Sequence, residues 1–266
     1  MSFKIYPNRI VVDCNEDGFT ERDLRAICDI GNSSKTGSQG YIGEKGIGFK
    51  SVFMAAWKVH IQSGHFSFCF VHRKGDSGMG MVQPVWEEPK EELPHPLTRI
   101  TLFLHEYQDV IDLERDRETI RKQFRELQAA LLLFLTKIRR IGIVFYDKQE
   151  RQEWATIFRI QDTQIANRVI LERLFTDGPK LDDIVPERHV YHVTKYTATN
   201  LPRNENRSLL PAEESSKSYA KSEIVLAFPL TDQSVPIIEP QKVFAFLPMR
   251  QMGFNVSEFA QQTVDN

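Results

Sequence analysis

The sequence predicts a mixed α/β fold built on a mainly antiparallel sheet, and three observations carry that reading. A β-branched run, RIVVDC at 9–14, passes through the turn-forming NEDG into a helix pattern. Three aromatic-rich runs with partial alternation then follow between 58 and 106. After residue 140, further alternating runs come with no comparable helix signal.

Taken in order, 9–14 is a strand, and TERDLRAICDIG at 20–31 is a helix with a threonine cap, early acids and a terminal glycine. Residues 32–46, NSSKTGSQGYIGEKG, are small, polar and glycine-rich and should form a mobile loop. The pattern turns helical from Phe49 to Trp57. KVHIQSG, HFSFCFVHR and TRITLFLHE read as strands of one sheet. Residues 109–140 form the longest helical pattern, charged at first and widening into ALLLFLTKI, which should end a first domain at 1–140. A β-rich domain at 141–266 then contains IGIVFYD, EWATIFRIQ, VYHVTKYTAT, EIVLAFPL and KVFAFLP, with a surface loop over 202–222 and a ragged end at NVSEFAQQTVDN.

Composition narrows the function classes. With 34 basic and 36 acidic residues the formal charge is −2, so no global field draws the chain to nucleic acid or an anionic membrane. The apolar run AALLLFL is too short to span a bilayer, and MSFKIYPNRI lacks the apolar stretch of a signal peptide. An intracellular protein, cytoplasmic or nuclear, is expected. Cys14, Cys28 and Cys69 form no C-x-x-C and read as buried small hydrophobes rather than zinc ligands. No metal site is expected in this chain.

The stretch GYIGEKGIGFKSVF at 40–53 carries the chemistry. The Walker pattern fails because Phe49 separates Gly48 from Lys50, and G-x-G-x-x-G fails because Ser51 stands where its third glycine should be. What remains is G-x-x-G-x-G running into a helix. Bare backbone there lets amides and a helix start approach an anion, so the stretch is either a phosphate cradle or a loop that merely turns tightly.

The aspartate-bearing strand end VVDCNEDGFT, the following helix, and GEKGIGFKSVF resemble the GHKL ATPases, which include gyrase-type topoisomerases, the large heat-shock chaperone, sensor histidine kinases and MutL. The likeness is to the chaperone-like domains of sacsin and the plant NO VEIN protein with their fungal relatives, in which SSK and GYIGEKGIGFKSVF are characteristic. It is specific over 9–57, looser to about 105, and returns at KVFAFLPMRQMGFNV. The resemblance implies a two-layer α/β sandwich of the GHKL type with a mixed, mainly antiparallel sheet, followed by part of a β-rich middle domain. It also implies ATP or ADP as ligand, with magnesium in the intact family, Gly18 as the glycine that lets the chain pass beside the base, and an adenine-reading residue at Asp13 or, because the spacing to Gly18 is one longer than usual, at Asn15. Either residue could instead cap an Asx turn. Lys35 matches a lid lysine, Gly43, Gly46 and Gly48 match the glycines around the phosphates, and Lys45 is a phosphate contact or a solvated lid charge, as is Lys50. Thr98 matches a threonine that meets the adenine through water, or is a plain strand threonine.

GHKL enzymes place a helix bearing a glutamate base and a magnesium-holding asparagine before the aspartate strand. Only eight residues precede RIVVD, so the resemblance implies a domain without its first helix, with no catalytic residue and with binding but no turnover on its own. The expected partners are an adenine nucleotide and a protein client or partner domain. A scaffold that keeps the fold without using nucleotide is the alternative; a kinase is disfavoured because 109–140 contains no histidine.

Overall fold

The computed structural model describes residues 1–28, 49–73, 75–89, 91–106, 110–135, 137–178, 185–200, 222–238, 240–245 and 247–255. It is a strand-rich mixed α/β fold with a large, mostly antiparallel sheet and few helices. Its residues group into two compact units. One comprises Met1–Leu127, Ile141–Ile157 and Phe175–Ile184; the other comprises Gln128–Arg140, Phe158–Leu174 and Val185–Asn266. The expected division at 140 follows the chain, whereas the contacts group residues across it: the strand that begins at Arg140 is almost wholly in the first unit.

In the first unit, β1 (Ser2–Ile5) and β2 (Arg9–Cys14) form a tight hairpin. Helix α1 (Glu21–Cys28) follows. Thr20 starts it as the sequence predicts: its hydroxyl accepts the Asp23 N–H, while the Asp23 carboxylate accepts from the Thr20 amide at 3.0 Å and hydroxyl at 2.7 Å. This reciprocal arrangement satisfies amides that the helix itself leaves unpaired. The helical pattern beginning at Phe49 becomes a short 3-10 turn, Phe49–Met54. It leads into β3 (Ala56–Ser63), β4 (Phe66–Val71), the two-residue β5 (Val85–Trp86) and β6 (Thr98–Leu104).

The expected helix over 109–140 is shorter. Helix α2 spans Val110–Arg125, and Ala129–Leu133 is a 3-10 turn that buries Leu131, Leu132 and Leu133. The apolar run read as a widening helical stripe is thus a separate piece with three consecutive leucines buried, a pattern that one face of an α-helix would not give. β7 (Arg140–Tyr146) returns to pair in parallel with β1. The strand order is β7-β1-β2-β6-β3-β4-β5, with β1–β2, β2–β6, β6–β3, β3–β4 and β4–β5 antiparallel.

Pairing registers assign the faces. Val59, Ile61 and Ser63 stand opposite Leu102, Ile100 and Thr98, and Cys14 stands opposite Thr98. Since side chains alternate along a strand, these share one face. Helix α1 packs there through Leu24 and Ile27 against the buried cluster of Phe53, Val59, Ile61, Phe68 and Phe70. Helix α2 is on the same face, where Phe124 meets Phe3 and Phe145. Asp13 stands opposite Arg99, one register step along, and therefore faces the other way.

β8 (Gln152–Asp162) and β9 (Arg168–Thr176) run through both groups of residues. In the second unit β9, β10 (Glu187–Ala198) and β11 (Ser222–Leu230) form an antiparallel ladder, and β12 (Pro240–Ala245) pairs with β13 (Leu247–Asn255) as a separate hairpin. Glu172 is buried in this unit at 1% exposure, and Arg159, Arg188 and Gln161 all donate to it. Paired guanidinium groups make a buried carboxylate tolerable.

Candidate functional site

At one end of the first unit's sheet, β2 ends, β3 ends and β6 begins, so the turn after β2 meets two other strands. Gly18 lies in that turn with φ of +92°, a backbone region where side chains are strained. A Cβ built there would stand 3.2 Å from the Ser63 hydroxyl oxygen. That oxygen accepts the Phe19 N–H at 2.8 Å and lies 2.6 Å from the Thr98 hydroxyl. Ser63 is 0% exposed and Thr98 2%. Gly18 and Thr98, picked out separately in the sequence, are therefore brought together, on the helix-bearing face, by a serine that sequence reasoning missed. A signal for Ser63 existed: it continues the two-residue alternation of Val59 and Ile61 as the polar member of a buried series.

Asn15 follows Cys14 at the same end of the sheet and is exposed. Asp13 is placed differently. Its carboxylate receives Arg99 Nε at 2.6 Å, Arg99 Nη2 at 3.1 Å and Lys4 Nζ at 3.0 Å, and Glu91 pairs with the same guanidinium. Burial pushes the Asp13 carboxyl up, but the hydrogen bonds and charges of Arg99 and Lys4 outweigh it and hold the group below the usual carboxylate range. Both oxygens are thus engaged on the face away from α1, Ser63 and Thr98.

Lys50 has a structural placement. Its ammonium donates to the carbonyl of Ile27, near the end of α1, and to that of Met81 at 2.7 Å, and it lies 5.4 Å and 5.3 Å from the ring centroids of Phe49 and Phe70. A cation at a helix C-terminus answers the carbonyls left open there. Lys35, Gly43, Lys45, Gly46 and Gly48 lie outside the described residues, as does the loop expected over 32–46. The base end of the expected site is therefore described, and the phosphate end is not.

A strand-rich α/β sheet with a glycine turn held to two buried hydroxyls is what this chain brings to a comparison with known proteins. Among solved structures it is similar to the N-terminal domain of a DNA repair protein, with TM-score 0.37, 8% identity and coverage of 65% of this chain and 60% of that one. It is also similar to the B-subunit of DNA gyrase from Myxococcus xanthus, with TM-score 0.34, 14% identity and coverage of 65% and 55%. Among curated proteins, Protein NO VEIN of Arabidopsis thaliana is 37% identical over 148 residues, which is 52% of this chain and 5% of that protein. The chain thus spans a small part of the length of that relative. No protein-family profile matches it.

Proposed function

We propose that the chain is an adenine-nucleotide-binding domain of the GHKL type, a two-layer α/β sandwich that takes ATP or ADP between its sheet and the glycine loop of 40–53. The convergence of Gly18, Ser63 and Thr98 beneath the turn that follows β2 is the observation that carries this reading. α1 and α2 on one sheet face support the layer arrangement. One residue at the base end fits a purine: the exposed amide of Asn15 offers both a donor and an acceptor. Asn15 rather than Asp13 is assigned the adenine edge, since Asp13 is already bonded to Arg99 and Lys4. Lys35, Lys45, Gly43, Gly46 and Gly48 are assigned the phosphates on the sequence pattern alone. Magnesium would neutralise the phosphates when bound. Coupling of nucleotide to a protein client or partner domain, in a chaperone-like cycle, completes the proposal.

A second reading, a scaffold that keeps the fold without nucleotide, is favoured by the same Asp13 pairing, because a carboxylate so committed does not await a base. Calorimetric titration with ADP and magnesium separates the two. The proposal expects binding that Asn15→Ala weakens by about tenfold, the value of roughly one good hydrogen bond to a ligand, while Asp13→Asn changes affinity little. No ADP binding by the parent chain supports the scaffold. Loss of affinity in Asp13→Asn with none in Asn15→Ala returns adenine reading to Asp13.

A further inference from the structure

The second unit holds a cleft of its own, of about 570 Å³. Its lining comes from the leucine turn at Ala129–Leu133 and the residues just after it, from β8, β9 and the turn between them, and from β10 and β11. Much of that lining is apolar, with Leu135, Ile160, Val169, Val193 and Val225 among it, and Ile165 in the β8–β9 turn is 54% exposed. The charged residues of the lining divide in two. Arg139 pairs with Asp162 at 2.6 Å and Lys195 with Glu223 at 3.1 Å, so those four charges cancel in place. Arg168 differs: among the described residues no carboxylate pairs with its guanidinium and no acceptor takes a hydrogen bond from it. Its Nε is buried without a partner, whereas its terminal nitrogens are not buried.

A guanidinium stays charged at any working pH, and its planar fork matches a carboxylate through two parallel hydrogen bonds. Beside an apolar wall such a pair is stronger than at an open surface, because less water screens it. Apolar surface adds a second demand, since each methylene taken out of water is worth about fourfold in affinity. A cation without a counter-ion and an apolar lining in one cleft together define one ligand chemistry, a carboxylate on an apolar body. We propose that this cleft binds an aliphatic monocarboxylate, with its head on the terminal nitrogens of Arg168 and its chain along the valines and leucines. Every lining residue belongs to the second unit, so the inference does not rest on the nucleotide reading above.

Calorimetric titrations of octanoate, butyrate and 1-octanol into the parent chain, Arg168→Met and Val193→Trp test it, each ligand kept below the concentration at which it self-associates. The parent is expected to bind octanoate about tenfold or more tighter than 1-octanol, the worth of hydrogen bonds to a charged group. Butyrate, four methylenes shorter, should bind about a hundredfold or more weaker than octanoate. Arg168→Met should bring octanoate down to the level of the alcohol, and Val193→Trp, which fills the cleft, should abolish binding of both. No octanoate binding by the parent overturns the proposal, as does equal affinity for octanoate and 1-octanol, or an octanoate affinity unchanged in either variant. Should the variants not fold, the ratio of octanoate to 1-octanol in the parent decides alone.

Discussion

Asp13 shows how one residue can be legible in type and illegible in role. Its position at a strand end before a turn marks it out in the sequence, but which face it takes depends on register with β6, and its partners Arg99 and Lys4 lie 86 and 9 residues away. No local pattern carries that information. Gly18 and Thr98 were marked out by the family resemblance rather than by any local pattern; Ser63, which joins them, has no counterpart in that resemblance, and its one signal is its place in the buried alternation of β3. The Asp13 knot makes a stability prediction. Asp13→Asn should cost about 2 kcal/mol at neutral pH, as for a hydrogen-bonded charge. Because the folded carboxyl is held low, its contribution is present above the ordinary aspartate value near ~3.9 and is lost as pH falls below that toward the folded value. Urea midpoints of parent and variant should therefore differ at pH 7, and the difference should shrink as pH falls below the ordinary aspartate value. A difference that stays the same size all the way into acid unfolding would contradict the ionised pairing.

At the scale of elements, strong local signals translated well and weak ones did not. Helix α1 was readable from Thr20 and the acids after it, and β2, β3, β4 and β6 from β-branched and aromatic alternation. Four strands were missed: β1 is only four residues long and is paired by β2 and β7 on either side, β5 is two residues long, β9 interrupts its apolar run with Glu172, whose burial needs Arg159 and Arg188, and β13 begins inside KVFAFLP, which the sequence reads as one strand. The helix expected over 109–140 overran because leucine-rich sequence looks helical until packing decides, as Ala129–Leu133 shows. Lys50 illustrates element coupling: it joins the end of α1 to the turn at Gly78–Met81. Lys50→Met should lower stability by about 2 kcal/mol in the absence of nucleotide, the scale of hydrogen bonds from a charged donor. A thermal melt in nucleotide-free buffer checks this, and an unchanged melt joined to weakened ADP binding would place Lys50 on phosphate instead.

For the whole molecule, the sequence pointed correctly to a mixed α/β fold with a large, mostly antiparallel sheet, since that follows from counting strands and their spacing. The grouping of β7 with residues before 128 follows from its parallel pairing with β1, a long-range contact that no local pattern carries. Among the described residues no helix is long and apolar enough to cross a membrane. The nucleotide reading joins two halves of different standing, a base end built from described side chains and a phosphate end argued from GEKGIGFK. A single titration tests their union most directly: ADP with magnesium against the parent chain and Gly46→Val, with far-ultraviolet circular dichroism recorded on both. A branched side chain would fill the space in which the phosphates approach bare backbone. The account predicts ADP binding by the parent, its loss in Gly46→Val, and unchanged dichroism. Equal ADP affinity in the two proteins, or no binding by the parent, would contradict it.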